Sequence, residues 1–149
     1  MTTFEAVVVI RTPRPALDGA SARRLLRELR RRLPVPHASA SVVVGDDALL
    51  RGLNKTYRRK DRPTDVLSFP SNEISEGGRR HLGDIVISSD AARRQARRRG
   101  HSAKQEVRIL MIHGYLHLLG YDHETDEGQM ELLERSVRRD LLGGRGPRR

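Results

Sequence analysis

The sequence predicts an α+β fold: a mixed sheet of about four strands packed by about five helices. Three observations carry this. Short runs rich in β-branched residues recur at four places, five longer stretches read as helices from apolar residues at helical spacing or from cap and stop residues, and the order of the elements permits both parallel and antiparallel pairing.

Phe4 to Arg11 reads as the first strand, closed by Pro13 and Pro15. A helix follows from about Ser21 to Leu33, with Leu25, Leu26, Leu29 and Leu33 on one face. Arg23, Arg24, Arg27, Arg30 and Arg31 lie mostly on the others, a solvated coat whose stems cover apolar flanks. Ser41 to Gly45 is a short buried strand. Asp46 then caps a second helix whose core face is Leu49, Leu50, Leu53 and Tyr57. Residues Asp65 to Phe69 and Asp84 to Ser88 read as two further strands. The glycine-bearing loop from Ser71 to Leu82 lets them pair antiparallel, whereas the strand-helix-strand opening suits parallel pairing. Ser89 or Asp90 opens an arginine-rich helix that Gly100 ends. Ser102 with Gln105 makes a capping box for an apolar helix, Val107 to Leu119. A last helix, about Asp126 to Leu142, aligns Met130, Leu133, Val137 and Leu141. The expected organisation is one metal-dependent hydrolase domain over residues 1–142 and a disordered basic tail over 143–149.

Composition narrows the function. Lys+Arg number 29 against 19 Asp+Glu, a net charge of +10, which makes a polyanion the natural partner. Only three of these cations are lysines, so the arginine identity at any one position says little. With aromatics at 3% and no tryptophan, the composition offers no base-stacking platform and leaves phosphate contact to carry RNA affinity. No apolar run approaches the roughly 20 residues a bilayer span requires, and no secretory leader pattern is present, so a cytoplasmic protein is expected, without a membrane partner. Zero cysteines fit that compartment weakly.

The chemistry is concentrated in His113-Gly-Tyr-Leu-His117-Leu-Leu-Gly120-Tyr-Asp-His123. On a helix, His113 and His117 stand one turn apart on nearly the same face, so two imidazoles can share an ion. Gly120 lets the chain leave the helix and bring His123 back. Three imidazoles leave one tetrahedral position open, the pattern of a catalytic rather than a structural zinc site. Iron, copper and nickel also accept imidazole. The spacing is that of the metzincin peptidases, but Gly114 occupies the position of their glutamate base, which argues against a peptidase. The expected cofactor is one zinc per chain. His37, His81 and His101 show no such spacing and read as surface or loop residues. Asp65, Asp84, Glu106 and Asp122 are carboxylates that could receive the second N–H of a ligating histidine.

The histidine segment, with Leu53-Asn-Lys-Thr-Tyr57-Arg58, Pro63-Thr-Asp65-Val-Leu-Ser-Phe-Pro70 and Leu82-Gly-Asp-Ile-Val-Ile-Ser88, resembles the YbeY family of ribosomal RNA maturation factors. These blocks run in family order from about residue 50 to 130, while the N-terminal third matches in pattern more than in letters. The resemblance implies a zinc-dependent, single-strand-specific endoribonuclease acting in 16S rRNA 3′-end maturation and ribosome quality control. It implies His113, His117 and His123 as metal ligands and Arg58 as a residue implicated in activity; the chemistry of a guanidinium then suits Arg58 to holding the scissile phosphate. The small ribosomal subunit is the implied partner, with an assembly GTPase or ribosomal protein beside it. Gly128 stands where the family more often has alanine, a change expected to weaken the start of the last helix. Two other functions compete: a non-catalytic rRNA-binding assembly factor pinned by structural zinc, and another zinc hydrolase.

Overall fold

The computed structural model describes residues 4–35, 38–122 and 124–143. It contains a four-stranded sheet and five helices, in the order β1 (Phe4–Ile10), α1 (Gly19–Arg32), β2 (Ala38–Gly45), α2 (Asp47–Arg58), β3 (Val66–Pro70), β4 (Arg80–Ser88), α3 (Ser89–Arg99), α4 (Ala103–Leu118) and α5 (Gln129–Leu141). The strands lie in the order β1-β2-β4-β3. β1 and β4 both run parallel to β2, and β3 runs antiparallel to β4, so the sheet is mixed as expected. The proposed tail begins at Gly143, and residues 144–149 lie outside the described residues.

The pattern of side chains decides the layers. Alternate residues of β2 (Ala38, Ala40, Val42, Val44) join Ile85 and Ile87 of β4 on one face. Leu25, Leu26 and Leu29 of α1, with Val107, Met111 and Tyr115 of α4, cover that face and form the main core. On the other face Leu50 of α2 meets Leu67 and Val86, with Leu49 and Leu53 partly buried beside them. Burying a leucine side chain contributes about 1.5–3 kcal/mol, so the larger share of the burial lies on the face that α1 and α4 cover together. No described helix is long and apolar enough to cross a membrane.

Four details differ from the sequence expectation. Tyr57 is not a core residue but 63% exposed; in the last turn of α2 its ring meets Phe69 of β3 edge-on. β4 begins at Arg80, earlier than its apolar run, since its first residues pair with β2 across a bulge at Ser39/Ala40. Gly83 sits at that bulge with φ 142°, where a Cβ would collide with the Phe69 carbonyl. α5 starts at Gln129 because the Asp126 carboxylate accepts the N–H groups of Gly128 and Met130, both at 2.9 Å. Gly128 itself takes φ 101°. Glycine therefore suits this helix start, and an alanine would be strained there.

Polar clamps join α2 to α3. Asp46 caps α2 by accepting from Leu49 N–H at 3.0 Å. Asp47 receives two bonds from the Arg94 guanidinium, at 2.8 and 3.2 Å, and one from the Ser88 hydroxyl at 2.8 Å. The Arg94 contact, against partial burial and with help from Ser88, holds the Asp47 carboxyl below its ordinary range. A depressed carboxylate stabilises the fold above the unfolded-chain pKa of about 3.9 and loses that contribution as pH falls through the folded value. At neutral pH, Asp47→Asn is expected to cost about 1 kcal/mol or less, because the pair is part-exposed. In urea titrations the gap between parent and variant should close on acidification toward pH 3. A gap independent of pH would refute this role.

Candidate metal centre

α4 delivers the two histidines of the motif that lie within the described residues; His123 lies outside them. Ser102 opens the helix by accepting from Gln105 N–H at 3.1 Å. It closes in a Schellman motif: Gly120 N–H donates to His117 O at 3.0 Å, Tyr121 N–H donates to Leu116 O at 3.1 Å, and Gly120 takes φ 102°. This reversal turns the Tyr121 carbonyl back onto His117, whose Nδ1 donates to it at 2.9 Å. His113 Nδ1 donates to Glu134 Oε1 at 3.0 Å.

These two acceptors assign the tautomers. A carbonyl and an ionised carboxylate can only accept, so both Nδ1 atoms carry a proton, and in a neutral ring the Nε2 atom is then the one that presents its lone pair. The Nε2 atoms nevertheless converge to 3.1 Å, with the rings nearly perpendicular at 81°. Two neutral rings at that separation need a proton or a metal cation between their Nε2 atoms. Two imidazole ligands of a tetrahedral zinc, with Zn–N near 2.0–2.1 Å, would have nitrogens about 3.3 Å apart. The described donors therefore fit a divalent metal.

Glu134 is the carboxylate that completes this arrangement. It is buried and also accepts from Arg138 at 2.6 Å. Burial pushes its carboxyl up, but the hydrogen bonds from His113 and Arg138 and the charge of Arg138 outweigh this and hold it below the ordinary carboxylate value. The sequence reading overlooked Glu134, although a signal was available: it interrupts the apolar stripe Met130, Leu133, Val137, on the face of α5 turned inward. Three of the four carboxylates named for this role serve elsewhere. Asp65 is held by Gln95, Asp84 by Ser41 and His81, and the fully buried Glu106 by Arg99 and His101. Asp122 lies at the site, where its carboxylate accepts from Glu124 N–H and shapes the turn leaving α4. His81 and His101, expected as surface or loop residues, are half-buried beside these partners, His81 within β4; His37 lies outside the described residues.

His113 and His117 open into a cleft of about 600 Å³ lined also by Arg58, Val66, Ser68, Pro70, Tyr121 and Asp122. Arg58, at the end of α2, donates to the Ser68 carbonyl at 2.9 Å and lays its guanidinium over the Phe69 ring, 5.5 Å from the centroid. The cleft thus joins an imidazole pair to a fixed cation. Gly114 faces away from it. An added Cβ there would lie 2.7 Å from Ile85 and 3.1 Å from Ser68, so α4 approaches the sheet too closely for any side chain at this position.

Comparison with known proteins places this site in a family. The family model described as endoribonuclease YbeY matches residues 19–141, which contain both described histidines, Arg58 and Glu134. The chain belongs to the endoribonuclease YbeY family. The YbeY protein of Aquifex aeolicus is 58% identical over 92 residues, covering 62% of this chain and 61% of that protein. That of Solibacter usitatus is 48% identical over 128 residues, covering 86% and 79%. A Thermotoga maritima protein determined in solution aligns over 98% of this chain and all of its own, with a TM-score of 0.58 and 23% identity, and so shares the fold. The YbeY relationship therefore rests on sequence, and the cleft supplies the local chemistry to go with it.

Proposed function

We propose that this chain is a zinc-dependent endoribonuclease that cuts single-stranded RNA, with the 3′ end of 16S rRNA in the small ribosomal subunit as its target. The observation carrying the proposal is the convergence of two imidazole lone pairs beside Arg58 in one cleft. His113, His117 and His123 are the ligands, in a chain whose family is named for RNA cleavage. Zinc supplies the Lewis acidity that brings hydrolytic chemistry to neutral pH.

The chain's own residues divide the remaining work. Glu134 and the Tyr121 carbonyl fix the ring orientation and tautomer of His113 and His117. Arg58, held by Ser68 and Phe69, offers its remaining N–H groups to a phosphate, where it both positions the backbone and stabilises charge that develops on the phosphoryl oxygens. The net charge of +10 favours the encounter with RNA. Ribosome quality control, an assembly GTPase partner and a cytoplasmic location are further parts of the proposal and follow from the family.

The test is an end-labelled single-stranded 16S rRNA 3′ fragment incubated with zinc-loaded protein, chelated protein and Arg58→Ala. Chelation should stop cleavage. Arg58→Ala should lower kcat by about 10²–10³-fold, the usual consequence of removing one charge-stabilising donor, and Arg58→Lys should restore little because a point charge cannot make the two-pronged contact. Full activity in Arg58→Ala would remove the assigned role. Cleavage unaffected by chelation would remove the metal.

A further inference from the structure

We infer that Tyr57 is a nucleobase-stacking residue that guides single-stranded RNA to the mouth of the cleft, an inference that rests on the RNA-cleaving function proposed above. Tyr57 occupies a position that helical periodicity assigns to the core, yet it is 63% exposed. Its ring meets Phe69 edge-on, with centroids 5.4 Å apart and planes at 67°. That contact orients the ring and leaves most of its surface in water. The same Phe69 ring carries the guanidinium of Arg58, a lining residue of the cleft. One phenylalanine therefore ties an exposed aromatic to the cation at the site.

Cations continue from there. Arg59 and Lys60 follow directly and are exposed. Arg59 ends α2 with φ 60°, the one non-glycine residue among those described with a positive φ. A glycine would take that conformation at lower cost; the chain places a cation there instead. Tyr121 stands on the cleft's own lining. Of the five aromatic residues in the chain, three (Tyr57, Phe69 and Tyr121) thus lie in or beside this cleft. The composition suggested that no stacking platform exists; the fold gathers the few aromatics at the one place where a platform is useful. A cationic track interleaved with exposed aromatic rings is the usual surface for unpaired nucleic acid, because every base has a π-face and stacking needs no particular sequence. A duplex hides those faces, so Tyr57 gives the site a means of preferring single strands.

The test uses the full zinc-loaded chain and a short labelled single-stranded RNA, the same strand in a duplex, and a set of strands each carrying one abasic position. Tyr57→Ala should weaken single-strand binding about 5- to 100-fold, while Tyr57→Phe should retain it. In cleavage assays KM should rise with kcat nearly unchanged. One abasic position should reproduce the loss in the parent and add nothing in Tyr57→Ala, and thermal melting should be the same for all three proteins. Parental binding by Tyr57→Ala, or an equal loss on duplex and single strand, overturns the stacking role alone. A parent that neither binds nor cleaves single-stranded RNA overturns the function on which it rests. Sensitivity of Tyr57→Ala only toward a protein component of the ribosome would make the residue a protein contact and likewise overturn the inference.

Discussion

His117→Ala is expected to strip the protein of zinc and to end RNA cleavage, with a fall in rate on the order of 10³-fold or more. Loss of the Lewis acid removes several kcal/mol of transition-state stabilisation, and each 1.36 kcal/mol is about tenfold. The variant should remain folded. His117 is only partly buried, and its Nδ1 partner, the Tyr121 carbonyl, lies where the turn opens to solvent. Metal analysis, single-turnover cleavage and circular dichroism on one preparation separate the two effects. Glu134→Gln provides the graded control: its amide oxygen can still accept from His113 but carries no charge, so zinc affinity should fall by about 10–100-fold, the usual range for a carboxylate behind a ligating histidine. Cleavage by zinc-free His117→Ala at the parental rate would end the metal hypothesis and leave Arg58 to be explained by other chemistry.

The reach of the sequence depends on whether a residue's role is local. The strands and helices were legible because each announces itself within a few residues: Asp46 and Ser102 as caps, Gly100 and Gly120 as stops, the leucines of α1 at helical spacing. The histidine pair was legible for the same reason, since one turn of helix brings His113 and His117 together whatever the rest of the chain does. Glu134 was not, because it reaches His113 from a different helix, and only the packing of α5 against α4 supplies that distance. Glu106 illustrates the opposite failure. It lies seven residues before His113 and was named for proximity, yet its buried carboxylate pairs with Arg99 and hydrogen-bonds His101 at the junction of α3 and α4. Tyr57 fell on the wrong side of the prediction because periodicity tells which face of a helix is apolar, not whether neighbouring elements cover every residue on that face.

Gly114 joins local sequence to global chemistry, and Gly114→Glu should show why this site is not a peptidase. The substitution supplies the side chain that the metzincin spacing lacks, so sequence logic alone would expect a gain of base catalysis. The structure predicts the reverse. Gly114 is buried where α4 meets the sheet, its carbonyl accepts from the Ser68 hydroxyl at 3.2 Å, and a Cβ would already lie 2.7 Å from Ile85. Gly114→Ala should therefore cost about 1–3 kcal/mol through overpacking. Gly114→Glu adds an unpaired carboxylate buried against an apolar strand, and its cost of more than about 4 kcal/mol approaches the whole stability of a domain this size. Urea denaturation should place Gly114→Ala below the parent, and Gly114→Glu should accumulate mainly as insoluble protein. Because α4 must shift to admit even a methyl group, Gly114→Ala should also lose more RNA cleavage than its remaining folded fraction explains, since His113 is the next residue on the same helix. A soluble Gly114→Glu with the parental urea midpoint and new peptide hydrolysis would refute the argument. The close approach of α4 to β3 and β4 excludes a base at this position, which leaves the chemistry proposed for the cleft to residues at its rim, Arg58 from α2 foremost.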